Sequence, residues 1–242
     1  MRRSVSRRFW RVSWRRWLLR FVVTLTTATF SAGTWLWSLP SVDDAETRVQ
    51  SIVASRHGQD ARGPIPDKLV RAIVAVEDQR FYAHHGIDMR GVSRAAFGLL
   101  RGQRGDQGGS TISQQLAKRL YGGGDGIATT VSQVGLALKL EMKYDKKQIL
   151  EMYLETAYFG DGQWGSEAAC ATYFRKTCDR LDWGEASLLA GLLQAPSRYD
   201  PTRHFTLARV RQRHVLDRLV AAGGLTRTQA DVAFAELTTL DK

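Results

Sequence analysis

Residues 69–88 read LVRAIVAVEDQRFYAHHGID and join an apolar run to the most unusual polar cluster in the chain. From Leu69, apolar residues recur at i, i+3, i+4 and i+7, which predicts a helix with one apolar face that ends at Glu77. Neighbours on a helix point about 100° apart, so Glu77 and Asp78 cannot both face one substrate, and we expect one of them to be structural. The alternative is a solvated acidic helix end followed by a capping histidine.

The second polar cluster, GSTISQQLAKRLY at residues 109–121, places hydroxyls and amides in the first turn of a predicted helix. Such a helix start offers N–H groups and a favourable dipole to an anion or a sugar. Capping explains Thr111 and Gln114, but it does not require Ser110 or Gln115. Glycine-rich stretches at 101–109 and 122–126 flank this helix, and we interpret them either as hinges beside a functional site or as plain surface loops.

Helical signals dominate the rest of the chain. Capping-box spacing predicts helix starts at Thr111, Asp145 and Thr226. Residues 186–193 and 207–220 are further helical runs. No stretch alternates apolar and polar residues convincingly, so we predict a mostly α domain over residues 64–242, preceded by a polar stalk at 40–63.

The positive charge of the chain is concentrated at one end. The 242 residues include 35 Lys and Arg against 24 Asp and Glu, a net charge of +11. Eight arginines lie within residues 1–20, and without them the remaining 27 basic and 24 acidic residues leave only +3. The body therefore lacks the basic stripe that a nucleic-acid partner requires, and we exclude nucleic acid.

Residues 21–39 follow the arginines and carry no charge, which predicts a helix of roughly 28 Å, close to the thickness of a bilayer core. The arginines at 1–20 then predict a single-pass transmembrane anchor with a cytoplasmic amino terminus and an extracytoplasmic body. A cleaved signal peptide is the alternative. In that compartment Cys170 and Cys178 form either a local disulfide or two separate buried thiols.

The segments EDQRFYAHHGID (77–88) and GGSTISQQLAK (108–118) resemble the first two signature motifs of the family 51 glycosyltransferases. These peptidoglycan polymerases occur alone or as the amino-terminal part of bifunctional penicillin-binding proteins. The resemblance continues through residues 146–174, 185–201 and 211–219. It implies a lysozyme-like helical fold behind one transmembrane helix of the bacterial cytoplasmic membrane.

The resemblance also implies a reaction and its partners. The growing glycan strand is transferred, with inversion, from an undecaprenyl-diphosphate carrier to the 4-hydroxyl of an incoming lipid II, in cell-wall synthesis. The membrane and other cell-wall synthesis proteins are further expected partners. Glu77 matches the catalytic base, and Asp78 belongs to the same motif. The residues expected to bind substrate are His84, Ser110, Thr111, Gln114, Gln115, Lys118 and Arg119.

The third motif of the family, R-K-x-x-E, is not retained. Thr129 and Thr130 stand where its basic pair is expected, and Gln133 stands where its glutamate is expected. A diphosphate leaves as a stable anion and needs cations more than a proton donor. We therefore expect Arg119, in place of an asparagine of the family, or a divalent metal such as Mg²⁺ to supply charge. The alternatives are an impaired homologue that binds lipid II or a cell-wall partner as a scaffold or regulator, and a lysozyme-like cleaving enzyme.

Overall fold

The computed structural model describes residues 8–57, 66–93, 109–122, 126–237 and 240. The stretches predicted as hinges fall largely outside these residues, since 101–108 and 123–125 are not described. The chain divides into two compact units, Met1–Pro40 and Ser41–Lys242. Each unit is described separately below.

The first unit contains one long helix, α1 (Arg8–Ser38). Threonines interrupt its apolar stretch, and their hydroxyls donate to backbone carbonyls one turn earlier, as Thr24 does to Arg20 at 2.8 Å and Thr27 does to Val23 at 2.9 Å. Among the described residues, no helix combines the length and the apolar character needed to cross a membrane. This finding corrects the predicted transmembrane anchor at residues 21–39, and the physical reason is the polar content that the threonines add to the helix.

The second unit contains nine α-helices among its described residues. Two 3-10 turns, Phe81–Ala83 and Cys178–Arg180, lie between them. Extended pairing within the described residues is limited to two isolated bridges, so the prediction of a mostly α domain is confirmed. The helices are α2 (Ala45–His57), α3 (Asp67–Glu77), α4 (Ile112–Tyr121), α5 (Ile127–Lys143), α6 (Lys146–Thr156), α7 (Ser166–Phe174), α8 (Trp183–Leu192), α9 (Phe205–Ala221) and α10 (Arg227–Glu236).

Side-chain caps begin several of these helices where the sequence predicted them. Thr111, Asp145 and Thr226 each form a complete capping box with the glutamine three residues later. Asp182 begins α8 in the same way with Glu185, a cap that the sequence analysis did not identify. Each box satisfies two backbone donors that a helix start would otherwise leave unpaired.

The core of the second unit surrounds α8, whose residues from Gly184 to Leu192 are all buried. Helices α3 and α9 pack on α8 and on each other, while α4 packs against α5 and α6. The first residues of the unit also join this core, since Val42 and Val49 are buried and Tyr144 donates to the carbonyl of Val42 at 3.3 Å. Part of the segment predicted as a stalk at 40–63 therefore packs within the compact unit.

A disulfide joins Cys170 and Cys178, whose Cα atoms are 5.4 Å apart. It ties the middle of α7 to the second 3-10 turn. The sequence left open a local disulfide or two separate thiols, and the structure contains the disulfide.

Candidate active site

Glu77 is the last residue of α3, and its carboxylate is held by a neutral donor from α4. Gln115 donates through Nε2 to Glu77 Oε2 at 2.8 Å. The other end of the same amide accepts from the hydroxyl of Tyr153 at 3.0 Å. Because a carboxylate only accepts hydrogen bonds and a neutral tyrosine hydroxyl can donate, these two contacts select one orientation of the Gln115 amide.

Asp78 turns away from Glu77 into the protein and connects the end of α3 to the start of α4. Its carboxylate accepts from His84 Nε2 at 2.9 Å and from the backbone N–H of Ile112 at 3.1 Å. Burial raises the pKa of Asp78, and the charge of His84 and the Ile112 N–H oppose that rise. Through these contacts Asp78 fixes the start of α4 in its position next to Glu77.

The turn after Asp78 is held against the same helix start. Thr111 donates to the carbonyl of Gly86 at 2.7 Å. Gly86 has a φ of +82°, and a Cβ at this position would lie 3.0 Å from the backbone carbon of Ala137. Only glycine combines this backbone conformation with so close an approach to α5.

A second buried carboxylate, Glu141 of α5, lies behind these residues. Its side chain is only 3% exposed and pairs with Lys146 Nζ at 2.5 Å. It also accepts from the hydroxyl of Ser113. His84 Nδ1 lies 3.9 Å from Glu141 Oε1. This arrangement leaves Glu141 paired with Lys146 and Ser113, outside the set of residues that line the described cleft.

Glu77 and Asp78 line a polar cleft of about 490 Å³ between α3, the start of α4 and α9. The lining residues from α9 are basic, and the other lining residues include hydroxyls, amides and carboxylates. The polar residues that line the cleft are Glu77, Asp78, Gln79, Asp88, Ser110, Thr111, Gln115, Gln194, Arg211, His214 and Arg218.

The structure brings together some of the predicted site residues and separates others. Ser110, Thr111 and Gln115 line the cleft beside Glu77 and Asp78. His84 and Gln114 are buried behind it, and Lys118 is exposed on α4. Arg119 lies over the ring of Tyr153, with its guanidinium 4.1 Å from the ring centroid, and donates to the Tyr153 carbonyl at 3.1 Å.

The three residues in place of the third motif all lie on α5. Thr129 and Gln133 are half-buried, and Thr130 is exposed and donates to the Gly126 carbonyl at 3.0 Å. None of the three is among the described residues that line the cleft.

The sequence analysis assigned no role to several residues that the fold brings into the cleft. Asp88 and Gln194 are two of them, and the others are basic residues of α9. A signal for the α9 residues was present, because Arg211, His214 and Arg218 are spaced i, i+3 and i+7 and so share one helix face. Which partner that face meets depends on tertiary packing.

Within the described part of the chain, no group of three or more His, Cys, Asp and Glu side chains is arranged to hold a metal ion. Asp78 is directed to His84 and Asp88 pairs with Arg80 at 3.0 Å. No step below depends on a metal.

A carboxylate and arginines that line one polar cleft of a helical domain suit an enzyme that transfers a group from an anionic leaving group. The family model that matches residues 47–220 is the transglycosylase family. The chain belongs to this family and is a glycosyltransferase, which confirms the resemblance seen in the sequence.

Individual relatives agree with this assignment. A provisionally named transglycosylase of Cupriavidus necator is 39% identical over 201 residues, which cover 82% of this chain and 84% of that protein. Penicillin-binding protein 1A of Aquifex aeolicus is 41% identical over 179 residues, covering 74% of this chain and 25% of that protein. The Escherichia coli protein of the same name is 38% identical over 183 residues, covering 73% and 22%. The chain thus spans about a quarter of the length of these penicillin-binding relatives.

A solved structure, penicillin-binding protein 1A from Haemophilus influenzae, is also similar. The match has a TM-score of 0.39 and 27% sequence identity, and it covers 54% of this chain and 16% of that chain.

Proposed function

We propose that this chain polymerises lipid II into peptidoglycan glycan strands, with Glu77 as the general base. The observation that carries the proposal is the position of Glu77, which lies in the polar cleft and is held by Gln115 at 2.8 Å. Membership of the transglycosylase family supplies the class of reaction. The same membership supports a lysozyme-like arrangement of the helices.

In the proposed reaction Glu77 accepts the proton of the 4-hydroxyl of an incoming lipid II. The oxygen then attacks the anomeric carbon of the growing strand, and the bond from that carbon to the diphosphate breaks with inversion. The electron pair leaves with the diphosphate, which departs as an anion and needs no proton. Ser110, just before α4, is placed to bind the sugar or phosphate groups of the substrate, and Thr111, whose hydroxyl donates to Gly86, holds the helix start beside it.

Asp78 contributes to this reaction by position. Its hydrogen bonds to His84 and to the N–H of Ile112 join the end of α3 to the first turn of α4. Glu77 and the hydroxyls of that first turn are therefore held at a constant separation. Such preorganisation is worth several kcal/mol in enzymes of known mechanism.

The proposed site of action is the outer face of the bacterial cytoplasmic membrane. The disulfide between Cys170 and Cys178 supports an oxidising, extracytoplasmic location. Other cell-wall synthesis proteins are the expected protein partners.

The test is a lipid II polymerisation assay with the purified full chain in detergent. Glu77→Gln should abolish the formation of glycan chains, because the amide cannot accept the proton. Glu151→Gln is the matched control, since Glu151 lies on α6, is 42% exposed, is 3.9 Å from Lys147 and is not among the described residues that line the cleft. Equal activity in the Glu77 variant and the control would overturn the role given to Glu77.

A second function is favoured by one observation. Thr129, Thr130 and Gln133 place no charge on α5 where the family has cations and a carboxylate. The corresponding hypothesis is an impaired homologue that binds lipid II as a scaffold or regulator. In the same assay, binding of lipid II without product would support this function, and cleavage of preformed glycan would indicate a hydrolytic enzyme.

A further inference from the structure

Glu141 of α5 is a buried carboxylate that does not belong to the described lining of the cleft. Its side chain is only 3% exposed, and its Oε2 pairs with Lys146 Nζ at 2.5 Å. Its Oε1 accepts from the hydroxyl of Ser113, in the first turn of α4. Burying a carboxylate is unfavourable unless it is both paired and hydrogen-bonded, and Glu141 meets both conditions.

Lys146 fixes the direction in which this carboxylate points. Its ammonium holds Oε2, and because a carboxylate is planar, the direction of Oε1 is then set as well. Lys146 Nζ also lies 4.3 Å from the ring centroid of Phe81, which is fully buried in the 3-10 turn after Asp78. His84 Nδ1 lies 3.9 Å from Glu141 Oε1, beyond hydrogen-bond distance. The ion pair thus lies against the turn after Asp78, and Oε1 is directed to α4.

Three consecutive residues hold the start of α4. The hydroxyl of Thr111 and the N–H of Ile112 donate to the segment that follows Glu77, at 2.7 Å and 3.1 Å. Ser113 donates in another direction, to Glu141 on α5. Without the Ser113 contact, the other two residues would attach the start of α4 to one neighbouring segment only.

The position of this turn matters because Gln115 follows it directly. Gln115 lies two residues beyond Ser113, about 3 Å along the helix axis, and donates to Glu77 at 2.8 Å. We propose that Glu141 is a positioning residue, which holds the first turn of α4 through Ser113 and so places the amide that orients the Glu77 carboxylate. The inference rests on the proposed function for the reaction that Glu77 performs. A misplacement of about 1 Å can lower an enzymatic rate about a hundredfold, so a contact that only fixes geometry controls kcat.

Ser113→Ala tests this contact with the smallest change. Alanine removes one hydroxyl at a fully buried position and leaves the pair of Glu141 with Lys146 in place. We expect kcat for lipid II polymerisation to fall about tenfold while KM changes by less than about twofold, because the geometry of the base is altered and substrate binding is not. Backbone amide exchange of residues 112–115, measured by mass spectrometry on the full chain in detergent, should become about tenfold faster because the turn opens more readily.

The matched control is Ser187→Ala. Ser187 is also fully buried in a helix, α8, where its hydroxyl donates to the Gly184 carbonyl at 2.9 Å. This variant loses a similar hydroxyl but should keep both kcat and the exchange of residues 112–115 within about twofold of the unaltered protein. Exchange of residues 112–115 that is equal in Ser113→Ala and in this control would overturn the role of Glu141.

Removal of both charges distinguishes positioning from stability. Replacing a buried ion pair by apolar residues of similar volume is often neutral for stability, because the charges no longer have to lose their water. Glu141→Met combined with Lys146→Met should therefore melt within about 4 °C of the unaltered protein, yet its kcat should fall about tenfold. A double variant that melts in this range and keeps kcat within about twofold would contradict the positioning role.

The two readouts separate this inference from the proposed function, because amide exchange requires no turnover. Faster exchange in Ser113→Ala, without polymerisation by the unaltered chain, would support the role of Glu141 in holding α4 and refute the polymerase. Polymerisation by the unaltered chain, with kcat unchanged in Ser113→Ala, would support the polymerase and refute the positioning role.

Discussion

Replacement of Tyr153 by phenylalanine tests whether the cleft holds its base through a chain of hydrogen bonds. Tyr153 is fully buried, and its hydroxyl donates to Gln115, which in turn donates to Glu77. Phenylalanine keeps the ring on which Arg119 lies, so the substitution removes one hydroxyl and leaves the packing intact. The amide of Gln115 then loses the contact that selects its orientation.

The expected loss of stability follows from the hydrogen bond alone. A net hydrogen bond contributes about 1 kcal/mol, and an acceptor left unpaired in a partly buried place adds to the loss, so we expect about 1–2 kcal/mol. For a unit of this size, each kcal/mol lowers the melting temperature by about 2–4 °C. Urea or thermal unfolding of the two proteins measures this difference directly.

The difference in stability between the unaltered protein and Tyr153→Phe should depend on pH in the alkaline range. Burial raises the pKa of Tyr153 to about 12, above the ordinary value of 10.0, and the charge of Arg119 opposes the rise. The unfolded chain therefore loses the phenolic proton first, and the stability that Tyr153 contributes is present below pH 10 and is lost as pH rises towards 12. The loss amounts to about 3 kcal/mol, so the unaltered protein should approach or fall below the Tyr153→Phe variant in stability by pH 12.

The polymerisation activity of Tyr153→Phe distinguishes a positioning role of the Tyr153 hydroxyl from a purely structural one. With one orientation of Gln115 no longer selected, kcat should fall about tenfold while KM for lipid II changes little. Tyr158→Phe is the control, because its hydroxyl only accepts from the N–H of Gly162 in an exposed turn. A Tyr153→Phe variant that loses stability as expected but keeps kcat within twofold of the control would refute the positioning role.

Three further outcomes are expected. Gly86→Ala should cost about 2–4 kcal/mol in urea unfolding, because φ is +82° and the new Cβ would meet the backbone of Ala137 at 3.0 Å; a cost below 1 kcal/mol would contradict this. Replacing Cys170 and Cys178 by serine should cost about 2.5 kcal/mol, since the bridge spans a separation of 8 residues, and unchanged melting would refute it. Burial raises the pKa of Asp78 above its ordinary 3.8, so the unaltered protein should lose stability relative to Asp78→Asn as pH rises above 3.8 and through the raised pKa, and the opposite slope would disprove the assignment.

The fold class was predictable because local signals agreed with the packing. The apolar face from Leu69 became α3, and the capping boxes at Thr111, Asp145 and Thr226 formed as their spacing indicated. The segment 21–39 was different. Absence of charge predicted a span there, but the threonines lower the apolar character of the segment without adding charge, so charge counting does not register them.

The site was predictable only in part, because a sequence motif reports residues that are close along the chain. Glu77 and the start of α4 share a cleft, and both belong to motifs visible in the sequence. Arg218 contacts the end of α3, and Tyr153 contacts Gln115. Both come from helices that lie far along the chain from the residues they contact. Their contributions depend on which face of α9 or α6 meets α3 and α4, and no local pattern specifies that choice.

Side chains from different helices reach the cleft that contains Glu77. The amide of Gln115, on α4, orients the Glu77 carboxylate at 2.8 Å. Positive charge is needed where a diphosphate departs, and Arg211 and Arg218 lie on the α9 wall of the same cleft. The net charge of +11, most of it in residues 1–20, is thus a poor guide to the cleft, where the position of two arginines matters more than their number.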